Sequence, residues 1–356
     1  MSATQTTRQV RPRFPDRPPL GIGIIGCGSI AQTAHLPAYS AHDLEVISVW
    51  SRSLETVATV RERFPLIQSV ATSAAEILAD PRVDIVDIAT PTEYRLPLVA
   101  AAIRAGKHVL AQKPLTTDLD TLRPLLDEAQ ARGVRIAVNQ NARWAPVWRQ
   151  AMILLDDGAI GDVVGVTHLH DKPLPPIGGT PFDHIPHMLV ADYLVHWIDI
   201  TRCWLRGKHV AAVQARDSRI PGQPADALNP WSATVSIYCT DGTTAVLRIV
   251  GDVHASKPGC PFWIHGTKGT IRGSILGGSE TVELDRGSTN TRFTLDGQWF
   301  VDGFAGTMGE LMCAIDEDRE PENSARDNLA TLHLMLAARR SAEQGGAEIS
   351  TDDLRL

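Results

Sequence analysis

A short apolar run, Leu20-Gly-Ile-Gly-Ile-Ile25, leads straight into Gly26-Cys27-Gly28-Ser29-Ile30-Ala31, and a helical stretch follows. Strand, glycine turn and helix in immediate succession constrain the start of this chain more than any other feature. Gly26 permits the tight turn, Gly28 lets a ligand approach the backbone, and Ala31 lets helix and strand pack closely. Free N–H groups and the dipole at the start of the helix favour an anion such as a pyrophosphate. The spacing is the G-x-G-x-x-A form of the dinucleotide fingerprint. Its alternative is a glycine-rich turn that holds no ligand.

The next segments repeat the pattern. Glu45 to Trp50 predicts a strand, Leu54 to Phe64 and Ser73 to Ala79 predict helices, and Val83 to Ala89 predicts a strand ending in Thr90-Pro91. Leu96 to Ala105 predicts a helix stopped by Gly106. Lys107 to Gln112 predicts a strand ending in Lys113-Pro114. Leu122 to Ala131 reads as a helix, and Val134 to Val138 as a strand followed by Asn139. Such alternation predicts an α/β fold, a Rossmann-type doubly wound parallel sheet. Ligands of such sheets gather at the carboxyl ends of strands. Cofactor contacts are therefore expected from Gly26, Gly28, Ser29, Ile30, Thr90, Pro91, Gln112, Lys113 and Asn139. Ser51 and Arg52 join them at the tip of the second strand, where an NAD enzyme usually offers a carboxylate to the ribose. With no carboxylate there, a 2′-phosphate meets no repulsion, and Arg52 can pair with it. The expected cofactor is NAD(P), with NADP preferred over NAD; a solvated surface arginine is the plainer reading of Arg52.

Near Arg143-Trp144-Ala-Pro146 the pattern changes. Ala145 to Leu155 predicts a helix closed by Gly158 and Gly161. Val163–Leu169, Val210–Ala215, Ala233–Tyr238, Ala245–Val250, Phe262–His265, Thr281–Leu284 and Arg292–Leu295 read as strands with little helix between them. They predict a C-terminal α+β domain with a large, mostly antiparallel open sheet. The run Met188 to Leu205 is apolar on almost every side, which predicts one buried helix. On it Asp192, His196 and Asp199 stand at i, i+4 and i+7, a single stripe. Buried carboxylates need partners, so the three either close a polar network or line a cleft. A carboxylate one turn from an imidazole orients the ring and raises its basicity, equipment for moving a proton on and off a hydroxyl. A purely structural Asp–His pair has the same spacing. Asp171 to Pro186 is a loop suited to folding over a cleft, and Gly303 to Ile315 and Asp327 to Glu343 predict closing helices.

The chain's 356 residues suffice for two full cores, and its 43% apolar content is ordinary for a soluble protein. A net charge of −7 excludes a basic footprint, so no nucleic-acid partner is expected. Five scattered cysteines form no C-x-x-C pair and suggest neither zinc nor disulfides. His168, His170, His184, His187 and His196, with Asp171 and Asp183, lack tight ligand spacing, so no metal is expected. Residues 1–18 read as a disordered tail without a signal-peptide core, and no run reaches membrane-spanning length. A cytoplasmic protein with no membrane contact is expected. The domains are expected at residues 19–142 and 143–356.

Together, Gly21-Ile-Gly-Ile-Ile-Gly-Cys-Gly-Ser-Ile-Ala31, Thr90-Pro91, Gly106-Lys-His-Val109, Lys113-Pro114, Arg143-Trp144-Ala-Pro146, Gly158-Ala-Ile-Gly161, Asp192-x-x-x-His196-x-x-Asp199 and Ile264-His-Gly-Thr-Lys-Gly-Thr270 resemble the Gfo/Idh/MocA oxidoreductases over about residues 18 to 350. The resemblance implies a catalytic set of Lys113, Asp192 and His196. It implies substrate contacts from Lys113, Arg143, Trp144, His184, Asp192 and His196. It also implies NAD(P)-dependent hydride transfer on a sugar, glycoside or cyclic polyol, and a homodimer or homotetramer built on the open face of the second sheet. Two departures stand out. Gln112 replaces the family's acidic residue before the lysine, and the familiar Thr-Pro-Asn-x-x-His reads Thr90-Pro-Thr-Glu-Tyr-Arg95. His196 is the expected proton acceptor and Lys113 the stabiliser of the reacting oxygen; the alternative gives the proton transfer to Lys113. Two further readings of the same residues are a redox-neutral lyase or glycosidase with transient oxidation, and a non-catalytic nucleotide sensor.

Overall fold

Nearly continuous apolar runs, buried on both faces except at the edge strand Ile67–Val70, form the first sheet. Its strands are β1 (Ile22–Ile25), β2 (Val46–Trp50), β3 (Ile67–Val70), β4 (Ile85–Ile88), β5 (His108–Ala111) and β6 (Ile136–Val138). They lie in the order β3-β2-β1-β4-β5-β6, all parallel, as a doubly wound sheet requires. The order reverses at β1 and β4, which is where such sheets bind ligands. A π-helical turn, Ala31–His35, continues as α1 (Leu36–Ala41); α2 (Leu54–Arg63), α3 (Ala74–Ala79), α4 (Arg95–Arg104) and α5 (Leu119–Ala131) follow. Ser53, Ser73 and Asp118 begin α2, α3 and α5, their side chains accepting the N–H groups of Thr56, Glu76 and Thr121. Each such cap stabilises its helix by about 1 kcal/mol.

The computed structural model describes residues 9–18, 20–174, 177–251, 258–277 and 281–356. It divides into two units, one of residues 11–145 and 298–329, the other of residues 146–297 and 330–356 with residues 9 and 10.

In the second unit α6 (Pro146–Asp156) and α7 (Val195–Trp204) accompany a nine-stranded sheet. Its strands are β7 (Val163–His170), β8 (His209–Ser218), β9 (Ser232–Cys239), β10 (Thr244–Val250), β11 (Cys260–Gly266), β12 (Gly269–Ile275), β13 (Thr281–Asp285), β14 (Asn290–Thr294) and β15 (Ile349–Arg355). The order is β14-β13-β12-β11-β7-β10-β9-β8-β15, and only the β7–β10 pair is parallel. Trp148, Trp197 and Trp204 pack edge to face in its core.

α8 (Phe304–Asp316) and the first residues of α9 (Ala325–Glu343) belong to the Rossmann unit, which corrects the boundary expected from sequence. The reason is apolar burial: Phe304, Ala305, Met308, Leu311 and Met312 join Ile22, Ile24, Leu110 and Ala137 in one core. The tail expectation is also corrected for residues 9–18. Phe14 packs on this core, Arg17 pairs with Asp316 at 3.0 Å, and Arg149 donates to the Gln9 carbonyl in the second unit. Residues 1–8 lie outside the described residues.

The second core contains an imidazole under strain from desolvation. His168 lies against Trp148, Trp204 and Phe262, is 1% exposed, and neither ring nitrogen has a hydrogen-bond partner among the described residues. Burial pushes it down to about 3, and burial followed by Lys172 pushes His170 to about 4. In the unfolded chain each titrates near its ordinary value of roughly 6.5. Below that pH the unfolded chain binds protons that the folded one refuses, so stability is full above about 6.5 and falls with acid. At pH 5 each site is expected to cost about 2 kcal/mol. Thermal melts of the protein and of His168→Leu between pH 7.5 and 5 check this. The variant should lose less stability over that interval, and parallel curves would overturn the assignment.

Candidate active site

The glycine turn leaves β1 at the reversal point of the sheet. Gly26 has φ +105°, a conformation that L side chains rarely adopt, and a Cβ there would stand 2.8 Å from the Ala89 carbonyl. Gly28 differs: it is exposed, and a Cβ on it would meet nothing within 4 Å. Ser29 is exposed beside it and Ile30 half-buried. At the tip of β2, Ser51 is half-buried, Ser53 caps α2, and exposed Arg52 lies 4.6 Å from the ring centre of Tyr94. That cation–π contact gives the guanidinium a preferred place. At the end of β4, Thr90 is half-buried and Pro91 exposed.

Lys113 is half-buried at the exit of β5. The segment is held by Arg95, the residue that stands where the familiar motif has histidine. Its guanidinium donates to the Thr90 carbonyl (2.9 Å), the Thr92 hydroxyl (3.1 Å) and the Pro114 carbonyl. One buried cation thus ties the loops after β4 and β5 together. Gln112 and Asn139 face inward at the ends of their strands, 5% and 0% exposed. They contact the His35 ring at 3.0 and 3.3 Å.

Arg143 and Trp144 are likewise interior, 1% and 3% exposed. Arg143 donates to the Glu322 carbonyl at 2.6 Å and pairs with Asp327 at 2.9 Å. Trp144 packs so closely on Gly306 of α8 that a Cβ there would stand 2.3 Å from the indole.

In the second unit the run around Asp192 is not one α-helix. Leu189–Tyr193 is a π turn in which Leu194 donates to the Leu189 carbonyl, and Leu194 breaks the helix before α7 begins. Asp192, 8% exposed, lies in the π turn, and His196 is half-buried in the first turn of α7. Asp199 closes a network instead of lining a cleft. It accepts from the Thr331 hydroxyl at 2.5 Å, and Arg202 donates to the same hydroxyl at 2.8 Å. In the loop, Asp183 is buried and accepts the N–H groups of Leu228 and Asn229 at 3.1 Å, which leaves neighbouring His184 exposed. His187, at φ +53°, holds Asp217 at 2.9 Å.

Residues 20–140 match the family model described as the oxidoreductase family with an NAD-binding Rossmann fold, and residues 148–272 match the GFO/IDH/MocA C-terminal domain. The chain belongs to the Gfo/Idh/MocA oxidoreductase family. It is 28% identical to the 1,5-anhydro-D-fructose reductase of Ensifer adhaerens, over 92% of this chain and 98% of that one. It is 26% identical to the inositol 2-dehydrogenase of Rhizobium meliloti, over 90% and 96%. An Agrobacterium radiobacter oxidoreductase crystallised with NAD+, L-tartaric acid and magnesium shares the fold at TM-score 0.81, 21% identity, and coverage of 94% and 99%.

As a Gfo/Idh/MocA oxidoreductase the chain has an NAD-binding Rossmann domain, and the surface at Gly28 is open. No helix among the described residues is long and apolar enough to cross a membrane. Sequence reasoning missed Arg95, Tyr94 and the polar interior around His35. The signal was present in Asp87, a carboxylate inside an otherwise apolar strand, which requires a buried partner.

Proposed function

We propose that the chain is an NAD(P)-dependent dehydrogenase or reductase that interconverts a secondary alcohol and a ketone on a sugar, glycoside or cyclic polyol. The observation that carries the proposal is the sequence of exits along the first sheet. β1, β4 and β5 are neighbours, and they end in the open glycine turn, in Thr90-Pro91 and in Lys113. Relatives named as reductases and dehydrogenases of sugars and inositol support the substrate class.

Gly26, Gly28, Ser29 and Ile30 would hold the pyrophosphate, and Ser51, Arg52, Thr90 and Pro91 the remainder of the dinucleotide. When bound, the nicotinamide supplies the hydride acceptor or donor. Lys113 hydrogen-bonds the reacting oxygen and stabilises negative charge as it develops there. His196 takes the hydroxyl proton in the oxidation and returns it in the reduction, and Asp192 orients its ring. His184, exposed next to the anchored Asp183, offers a hydrogen bond to a sugar hydroxyl. Placement in the cytoplasm and assembly through the second sheet complete the reading. A panel of sugars, inositols and glycosides with NAD and NADP, followed at the nicotinamide absorbance, tests it. Net reduction of the cofactor with one of them supports it. Conversion without net reduction would favour a redox-neutral lyase or glycosidase, and cofactor binding without any conversion would favour a sensor.

For the cofactor, the proposal favours NADP. A well-formed contact from Arg52 to a 2′-phosphate contributes about 1.5–3 kcal/mol, less where solvent screens it. Arg52→Ala is expected to weaken NADP binding by roughly 10-fold and to leave NAD binding almost unchanged. Equal losses for both cofactors, or a wild type that prefers NAD, would count against NADP.

A further inference from the structure

Behind the exit of β5 lies a buried chain of polar groups that the reaction scheme does not use. Asp87 of β4 is 0% exposed, and its Oδ2 accepts from the Tyr39 hydroxyl at 2.6 Å and from His35 Nδ1 at 2.7 Å. His35, also 0% exposed, meets Gln112 Nε2 through its Nε2 at 3.0 Å. Gln112 Oε1 accepts the backbone N–H of Lys113 at 2.8 Å. Asn139 Nδ2 reaches the same His35 nitrogen at 3.3 Å, and its Oδ1 lies 2.8 Å from the Thr307 hydroxyl. The Phe304 ring closes the remaining side, 4.8 Å from the imidazole.

The direction of these bonds follows from one group that has no choice. A backbone N–H only donates. Gln112 must therefore turn its oxygen to Lys113 and its NH2 to His35. His35 Nε2 must then accept, so the ring proton sits on Nδ1 and goes to Asp87. Turning the amide over would set NH2 against N–H at one end. A second proton on His35 would set N–H against NH2 at the other. Each group in the chain fixes the next, from the Asp87 carboxylate on β4 to the peptide that carries Lys113.

We propose that His35 and Gln112 are positioning residues for Lys113: the Asp87–His35–Gln112 chain locks the Lys113 peptide and so sets the direction in which its side chain leaves β5. This rests on the reading of Lys113 as a reacting group. An amide at position 112 belongs with a His35 protonated only on Nδ1, whereas a carboxylate there belongs with a ring protonated on both nitrogens. The other titratable groups facing His35 and Asp87 keep their protons throughout. Burial and Asp87 hold Tyr39 well above its ordinary range and push Cys27 up to about 12.

The test uses the full chain and three variants. Gln112→Met preserves volume and removes both hydrogen bonds. Protection of the Lys113 amide against hydrogen exchange, measured without any ligand, is expected to fall by about tenfold or more. With the best substrate of the panel, kcat is expected to fall by about tenfold or more while cofactor affinity changes by less than about threefold. Gln112→Glu is expected to restore both quantities, with imidazole 15N spectra showing His35 protonated on both nitrogens instead of on Nδ1 alone. Lys113 protection and kcat within twofold of wild type in Gln112→Met would overturn the proposal. So would an unchanged His35 spectrum in Gln112→Glu. Lys113→Ala separates the two levels. If it retains full turnover, the role given to Lys113 fails, whereas a dead Lys113→Ala beside an unaffected Gln112→Met removes only the positioning chain.

Discussion

Alanine at Lys113 or at His196 is expected to lower turnover by roughly 100-fold or more while the cofactor still binds. That corresponds to about 2.7 kcal/mol of lost transition-state stabilisation. Both side chains are only half-buried, Lys113 after the last residue of β5 and His196 in the first turn of α7, so truncation leaves the cores described above untouched. Cofactor titration by calorimetry confirms that the variants are folded and loaded. Near-wild-type turnover in either one removes that residue from the mechanism. Lys113→Arg then divides the roles. Arginine keeps the positive charge and the donors but cannot give up a proton. A variant retaining a substantial part of the Lys113 effect assigns the proton to His196, and one as poor as alanine assigns it to Lys113.

The Rossmann half was legible because its strands are short, apolar and bounded by glycine turns, a pattern with few alternative folds. The exception, β3, carries Gln68 and Ser69 between Ile67 and Val70 and does not stand out. In the second sheet β12 and β15 were missed for a similar reason. Gly269-Thr-Ile-Arg-Gly-Ser-Ile275 and Ile349-Ser-Thr-Asp-Asp-Leu-Arg355 have too few apolar residues to announce strands. The assignment of α8 to the first unit depends on contacts with Ile22, Leu110 and Ala137, far away in sequence, and no local pattern encodes that.

The site divided in the same way. The turn at Gly26 was readable because few other residues adopt its φ of +105°. The orientation of side chains at strand ends was not readable, since an end position does not say which way a side chain turns. Gln112 and Asn139 turn inward to His35, while Lys113 between them remains half-buried. Asp199 shows a further limit. Its spacing matched the Asp192–His196 stripe, but Thr331 and Arg202 claim the carboxylate, and Thr331 lies beyond the local pattern that spacing can show.

The two glycines of the turn are expected to fail in opposite ways when given a side chain. Valine at Gly28 places its Cβ in open space, so the fold should keep its melting temperature to within a few degrees, a small helix-propensity cost of about 0.5 kcal/mol or less aside. The same atoms occupy the surface that a pyrophosphate must approach, so affinity for NAD and NADP should drop by roughly 100-fold or more. Valine at Gly26 meets the protein itself. Its Cβ would lie 2.8 Å from the Ala89 carbonyl and 3.1 Å from Thr90 Cγ2, at a φ of +105°. Ala89 is backbone at the end of a central strand and cannot step aside cheaply, so a loss of about 3 kcal/mol or more is expected. Paired melting curves and calorimetric titrations of Gly28→Val and Gly26→Val read both effects. Unchanged cofactor affinity in Gly28→Val would move the dinucleotide away from this turn, because a ligand lying elsewhere on the sheet has no reason to sense that side chain.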